Sequence, residues 1–260
     1  MTAPTTGIAL ALLLCGAPLY AAETKNVDKT LPLSATGTVT LDSHNGSIQI
    51  RTWDRAEVEI HVRIEARGPW VADRRRFDAT SVDITGAPDA VSIRSMTPDA
   101  YSWGLWSLLG AWGDRPDIRY AITAPRRAQW KIHEHNGHAE IHDVDAALAV
   151  GIHNGSVRVV SLSGPLDLSM HNGAARIDFS SFTHASRIDT HNGTVELALP
   201  ASSKFQLDAR GHNIRVNSDF PVAVRSSSHG QRNVNGSVNG GGPVLQLTSH
   251  NGGFRILSKR

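Results

Sequence analysis

One tripeptide, His-Asn-Gly, recurs along this chain of 260 residues and limits the folds that the chain can adopt. The spacing between the four central copies is 18, 18 and 20 residues. A partial copy at His212 has Ile214 in place of the glycine. Complete copies begin at His44, His135, His153, His171, His191 and His250. A period near 20 residues is typical of solenoids, in which each repeat stacks on its neighbours.

Asn-Gly favours a sharp turn, because Gly lacks a Cβ and the Asn side chain can bond its own backbone. We therefore call each His-Asn-Gly a corner. Apolar and polar residues alternate on both sides of it, as at Leu148 and Val150 before one corner and Val157 and Val159 after it. This period of two predicts strands with one buried face. The sequence thus predicts an all-β fold, a β-solenoid or parallel β-helix-like stack of two-strand coils with about 18–21 residues per coil.

The N-terminal segment differs from the repeats. An apolar run from Ile8 to Cys15 precedes Ala21-Ala22, a pattern that resembles a short h-region and its cleavage site. We expect residues 1–22 to be a signal peptide and the protein to be exported to the periplasm or cell surface. Cys15 leaves a lipoprotein anchor open as an alternative. The run is too short to span a bilayer and no later apolar span follows, so we expect no membrane span after cleavage.

The remaining chain divides into a polar segment, 23–36, which we expect to be a flexible lead-in, and one repeat domain over 37–257. The whole chain has a net charge of +2, and charged residues make up 19% of it. This composition is unlike that of strongly basic nucleic-acid-binding proteins and of disordered chains. We therefore expect no nucleic acid partner.

Residues 99–118 interrupt the repeats with a Trp-rich insertion. One interpretation is that the insertion covers the open end of the solenoid core, which needs a cap. The other is that it forms a hydrophobic patch for an unknown protein, a glycan or the envelope surface. Its aromatic residues are Tyr101, Trp103, Trp106 and Trp112.

Three stretches carry a resemblance to a known family. They are GSIQIRTWDRAEVEIHVRIEARG, IRYAITAPRRAQWKIHEHNGHAEIHDV and the later Asn-Gly coils, which together cover about 37–257. The chain resembles the bacterial putative-adhesin family, a domain of unknown function with Asn-Gly-punctuated strand repeats. This resemblance implies an exported, solenoid-like protein with no established enzyme activity. The chain departs from the family in having His, rather than a small hydroxyl residue, before Asn-Gly.

Alternation places the corner histidines on the outer face, where neighbouring coils about 4.8 Å apart would stack them into a row. In one interpretation neutral imidazoles stack and Asn amides bond along the axis. In the other the imidazoles bind Zn²⁺, Cu²⁺ or Ni²⁺, with Glu134 and His138 as further candidate ligands. The candidate metal-binding histidines are His133, His135, His153, His171, His191 and His212.

Catalytic motifs are weak in this sequence. It has no nucleophile elbow, P-loop or dinucleotide fingerprint, and its outward positions show no clear acidic pair. We therefore predict a non-enzymatic cell-envelope protein, an adhesin-like binding or structural module without an obligatory cofactor. A transition-metal-binding protein is the first alternative, and a glycan-active β-helix enzyme is the second.

Overall fold

The computed structural model describes residues 23–67, 71–97, 115–222, 224–226 and 232–260. The predicted signal peptide and the aromatic residues Tyr101, Trp103, Trp106 and Trp112 lie outside these ranges. Fourteen strands form one sheet in the part of the chain that is described. The elements are β1 (Thr24–Pro32), β2 (Thr38–Trp53), β3 (Glu57–Glu65), α1 (Val71–Ala79), β4 (Ser81–Ala87), β5 (Ala90–Met96), β6 (Asp117–Pro125), β7 (Gln129–His142), β8 (Leu148–Leu162), β9 (Leu166–Phe179), β10 (Ser186–Pro200), β11 (Phe205–Ser218), β12 (Val224–Ser226), β13 (Arg232–Val238) and β14 (Val244–Lys259).

The predicted all-β stack of coils is confirmed, but the two strands of each coil are the two arms of one long strand that runs through the corner. In β2 the residues before the corner, 38–42, pair with β5, whereas the residues after it, 46–53, pair with β6. We call the segment before each corner the first arm and the segment after it the second arm. On its other side β2 pairs with β7 through both arms, as do the other stacked neighbours with each other.

Seven corner-containing strands stack in parallel in the order β2, β7, β8, β9, β10, β14 and β11. This order differs from the chain order, because the C-terminal strand β14 lies between β10 and β11. Asn251 in β14 is in register with Asn192 on one side and with Asn213 on the other. His191 and His212, which are successive copies along the chain, are therefore not neighbours in the stack, and the coil of His250 separates them.

The hydrophobic core lies between the two arms. The apolar positions three residues before each His and four residues after each Gly are buried, as the alternation predicts. Each such column is continuous from coil to coil because the parallel register keeps equivalent residues side by side. The first-arm column contains Leu41, Ile132, Val150, Leu168, Ile188, Leu247 and Ala209, and the second-arm column contains Ile50, Ile141, Val159, Ile177, Leu197 and Ile256.

Antiparallel strands finish both ends of the stack. β3 pairs with β6 and β1 pairs with β3 at one end, and β13 pairs with β11 at the other. The expectation of a flexible lead-in over 23–36 is wrong, because 24–32 form β1. The side chains of β1 are mostly exposed, so the hydrophobic pattern is weak and backbone pairing holds the strand.

The short helix α1 contains the cluster Arg74-Arg75-Arg76, where the sequence predicts no helix. Phe77 anchors α1, since its side chain is buried and lies 4.5 Å from the Lys25 amine. Within the described ranges, no helix has the length and apolar character needed to cross a membrane.

Candidate functional site

Six of the seven corners contain a glycine, and in five of them a Cβ added to it would meet the carbonyl oxygen of the glycine in the neighbouring coil; Ile214 takes this position at the His212 corner. Gly155 has a φ of 146°, and a Cβ added to it would lie 1.8 Å from the Gly137 carbonyl oxygen. Gly173 has a φ of 148° and would meet the Gly155 carbonyl oxygen at 1.8 Å. A positive φ is strained for residues with a Cβ, and here the space is also filled by backbone. The close stacking of coils at these two corners therefore requires Gly.

The seven corner asparagines form a continuous hydrogen-bonded row, the asparagine ladder. In every step the Nδ2 group of one Asn donates to the Oδ1 atom of the next at 2.9–3.1 Å. The direction of donation is the same throughout, so the amide dipoles align along the stack. The order from donor end to acceptor end is Asn213, Asn251, Asn192, Asn172, Asn154, Asn136 and Asn45.

The seven corner histidines form a second row on the outer face, the histidine ladder. Neighbouring ring centroids lie 4.7–5.0 Å apart over the first six rings and 5.7 Å apart at the last step. The ring planes differ by 2–13°. The ring spacing matches the distance between hydrogen-bonded strands, so the backbone register sets the stack. The ladder runs His44, His135, His153, His171, His191, His250 and His212.

A trough of about 1160 Å³ runs beside the histidine ladder on the outer face of the second arms. Its floor is made of small side chains at the position after each corner Gly in four successive coils: Ser156, Ala174, Thr194 and Gly253. Larger side chains, His138 and Arg215, occupy the same position in the coils at either end. One side of the trough is formed by a column two residues further on, Arg158, Arg176, Glu196 and Arg255.

A buried polar cluster lies inside the corner at one end of the ladder. The Glu134 side chain is only 3% exposed, and its Oε1 atom accepts a hydrogen bond from the Asn136 backbone N–H at 3.1 Å. Burial raises the pKa of Glu134 to about 7, although bonding to Ser43 and to the backbone offsets part of the shift. Burial likewise raises the pKa of the nearby Tyr120 to about 12, with Ser43 again acting in the opposite direction.

Hydrogen bonding within this buried cluster is incomplete. The Glu134 Oε2, Ser43 Oγ and Tyr120 hydroxyl atoms are enclosed without a hydrogen bond of good geometry among the described residues. A carboxyl group in such surroundings favours its neutral, protonated form. Glu134, a candidate metal ligand from the sequence, therefore lies inside the corner, and alternation along the strand places it inward, between the outward His133 and His135.

The family profile of Toastrack DUF4097 matches residues 20–257, which is most of the chain. The chain belongs to the Toastrack DUF4097 family. The family resemblance predicted from the sequence is thereby confirmed. The chain has no match among curated proteins.

Several solved structures are similar to this Toastrack chain at low sequence identity. A putative cell adhesion protein from Clostridium sporogenes is 11% identical with a TM-score of 0.46, and the match covers 90% of this chain and 100% of that one. A putative adhesin from Bacteroides fragilis is 10% identical with a TM-score of 0.31, covering 90% and 97%. A putative lipid binding protein from Parabacteroides distasonis is 11% identical with a TM-score of 0.31, covering 89% and 96%.

The predicted metal-binding residues of the Toastrack chain do not converge on one point. Tetrahedral zinc requires ligand atoms that meet at the ion, about 2.0–2.1 Å from it, whereas nearly parallel rings direct their nitrogens side by side. His133 lies in a neighbouring outer column opposite Gly151, and His138 bonds Ser156 at 2.7 Å. No group of three or more His, Cys, Asp or Glu residues in the described ranges is arranged to hold a metal ion. Metal binding stays a prediction that a zinc titration followed by calorimetry would test.

The strands that flank the Trp-rich insertion in the sequence, β5 and β6, lie beside β2. β5 pairs with the first arm of β2 and β6 with its second arm, so these two strands form a further coil next to His44. Residues 97–116 join β5 to β6 in the sequence. The partner patch predicted from Tyr101, Trp103, Trp106 and Trp112 lies outside the described residues and stays a prediction.

Proposed function

We propose that this chain is an exported, non-enzymatic cell-envelope module that binds an external partner through the outer face of its corners. The observation that supports this proposal best is the histidine ladder. Its rings are mostly solvent-exposed, and the hydrogen bonds of the asparagine ladder join the coils independently of them. Exposed residues that folding does not require are candidates for recognition.

The family and the trough support a binding role over a catalytic one. Solved structures similar to this chain are described as a putative cell adhesion protein and putative adhesins. Glu196 is the one carboxylate among the described residues that line the trough, whereas glycoside hydrolysis generally uses a pair of carboxylates. A surface that recognises its ligand without transforming it fits this lining.

Two measurements test the proposal. Cell fractionation should find the protein in the periplasm or at the cell surface, with a mature N-terminus after Ala22. Purified mature protein should co-sediment with envelope fragments, and a variant with His153, His171 and His191 all replaced by Ser should bind more weakly.

His184→Ser is the matched control, because His184 is also exposed but lies outside the ladder. It should bind like the wild type. A cytoplasmic location, or full envelope binding by the triple variant, would contradict the proposal.

A further inference from the structure

The trough has a definite length. Ser156, Ala174, Thr194 and Gly253 are in direct register across β8, β9, β10 and β14. Four coils at the ordinary strand spacing of about 4.8 Å give an open floor close to 20 Å long. His138 and Arg215 bound the two ends. The trough therefore fits a short stretch of an extended polymer that lies along the stack axis.

Its positive charge is incompletely neutralised. Arg176 and Arg255 share a single carboxylate, Glu196, with N–O distances of 2.8 Å and 3.6 Å. The Arg158 guanidinium shares Glu140 with His142, at 3.6 Å and 3.1 Å. Each guanidinium therefore has donors left for another acceptor, because a single carboxylate cannot satisfy two five-donor groups.

The other side of the ladder is balanced. On the first arms, Arg187 pairs with Asp189 at 2.6 Å and Arg210 pairs with Asp208 at 2.8 Å. Each of these arginines has its own aspartate on the same strand. Arg215, at the end of the trough, pairs with no carboxylate in the described part of the chain. The excess positive charge is thus confined to the trough side of the ladder.

We infer that the trough binds an extended anionic polysaccharide strand, whose acidic groups pair with Arg158, Arg176, Arg255 and Arg215. This inference rests on the proposed function and names the class of ligand for it. Guanidinium groups bind carboxylate or sulfate oxygens through charge-assisted, often bidentate hydrogen bonds. The Ser156 and Thr194 hydroxyls on the floor can bond sugar hydroxyl groups, and Ala174 and Gly253 leave room for the rings.

Two other anionic ligands fit the lining less well. Single-stranded nucleic acids bind proteins largely through stacking on aromatic side chains. Among the described residues that line the trough, Phe254 is buried, and the exposed rings, His138 and His212, lie at its two ends rather than along the floor. A lipid tail needs an apolar cavity, whereas the residues that line this trough are mainly small, polar or basic. Charge complementarity along a narrow, hydroxyl-containing floor favours an acidic glycan.

The test uses the mature protein and oligomers of polygalacturonate, with binding followed by calorimetry at low salt. Wild type should bind polygalacturonate, the binding should weaken as NaCl is added, and neutral dextran should not bind. The double variant Arg176→Ala, Arg255→Ala should bind about tenfold more weakly or worse, since each change removes a charge-assisted hydrogen bond. Ala174→Trp should abolish binding by filling the floor.

Matched controls lie across the ladder, on the first arms of β9 and β10. Arg187→Ala and Ser169→Trp change exposed residues of the first arms and should leave polygalacturonate binding unchanged. Thermal melts of all variants separate a blocked trough from a misfolded protein. The inference is overturned if the controls weaken binding as much as the trough variants, if dextran binds equally well, or if vesicles containing phosphatidylglycerol bind while polygalacturonate does not.

The same variants distinguish this inference from the proposed function. If the trough variants lose polygalacturonate binding and part of their envelope binding, both stand. If they still bind envelope fragments fully, the trough assignment fails and the adhesin-like function remains. If wild type binds neither envelope fragments nor polygalacturonate, both fail.

Discussion

The outer and inner sides of the same corners differ in how strictly their residues repeat. On the outer side, every one of the seven stacked coils has His. On the inner side, the residue immediately before each His varies in size and polarity although most of these side chains are at most 7% exposed. In stack order the inner residues are Ser43, Glu134, Ile152, Met170, Thr190, Ser249 and Gly211.

This is the reverse of what packing alone predicts. Buried positions are normally the constrained ones, because protein interiors are close-packed, whereas an exposed position accepts most polar residues. The variable inner column shows that each coil can fill its own part of the core differently. The constant outer column must then reflect contacts between coils, contacts with a ligand, or both.

The largest expected effect comes from the glycine that lets both columns form. Gly155→Ala should lower the free energy of unfolding by about 4 kcal/mol, because a positive φ and a displaced backbone carbonyl are combined in one substitution. Urea denaturation measures this change. Gly253→Ala is the control, since its Cβ would lie 3.7 Å from the nearest atom, the Arg215 carbonyl oxygen. Equal losses in the two variants would show that the corner glycine has no special role.

The sequence predicts the coil but not the order of the coils. Alternation around each corner identifies the buried columns correctly, for example Val150 and Val159, because one face of each strand is buried in the core and the other is exposed to solvent. Every coil presents nearly the same edge to its neighbours, so local patterns contain no information on which coil pairs with which. The gap of 38 residues before His250 resembles two periods, but its described residues include β12 and β13, which pair antiparallel, and the chain then places β14 between β10 and β11.

The candidate site was only partly predictable for the same reason. The outward histidines follow from alternation, and so do the arginines at the third position after the corner glycines, such as Arg158 and Arg176. The trough, however, depends on β14 lying next to β10, which brings Arg255 beside Glu196. Neither the sharing of Glu196 nor the excess of positive charge is visible until the stacking order is known.

The second largest expected effect on stability concerns the inner column, where Glu134 is the one carboxylate. Its pKa of about 7 lies above the ordinary value of 4.5, so the folded protein keeps a proton that the unfolded chain releases. The contribution of Glu134 to the free energy of unfolding is therefore fully present below about pH 4.5 and is lost as the pH rises through 7. Glu134→Gln should raise the unfolding free energy by about 3 kcal/mol at pH 8 and have little effect at pH 4.5.

Chemical denaturation of both proteins across this range checks the prediction. The Gln side-chain oxygen can still accept the hydrogen bond from the Asn136 backbone N–H, so the substitution removes the charge and keeps this contact. A variant that is less stable than the wild type at pH 8 would show that the folded protein needs the carboxylate. The inner column would then be as constrained at this coil as the outer one.

The smallest expected effect is on the outer column and decides what the ladder contributes to folding. His171→Ser removes ring contacts to His153 and His191, both at 4.7 Å, while the asparagine ladder and the glycine stay in place. We expect a loss of about 1 kcal/mol, because exposed ring pairs add little beyond the area they bury. Ser169→Ala, at another exposed position on the same arm, serves as the control in urea denaturation. A loss close to that of Gly155→Ala would mean that stacked imidazoles hold the corner, and the constant outer column would then be explained by folding rather than by binding.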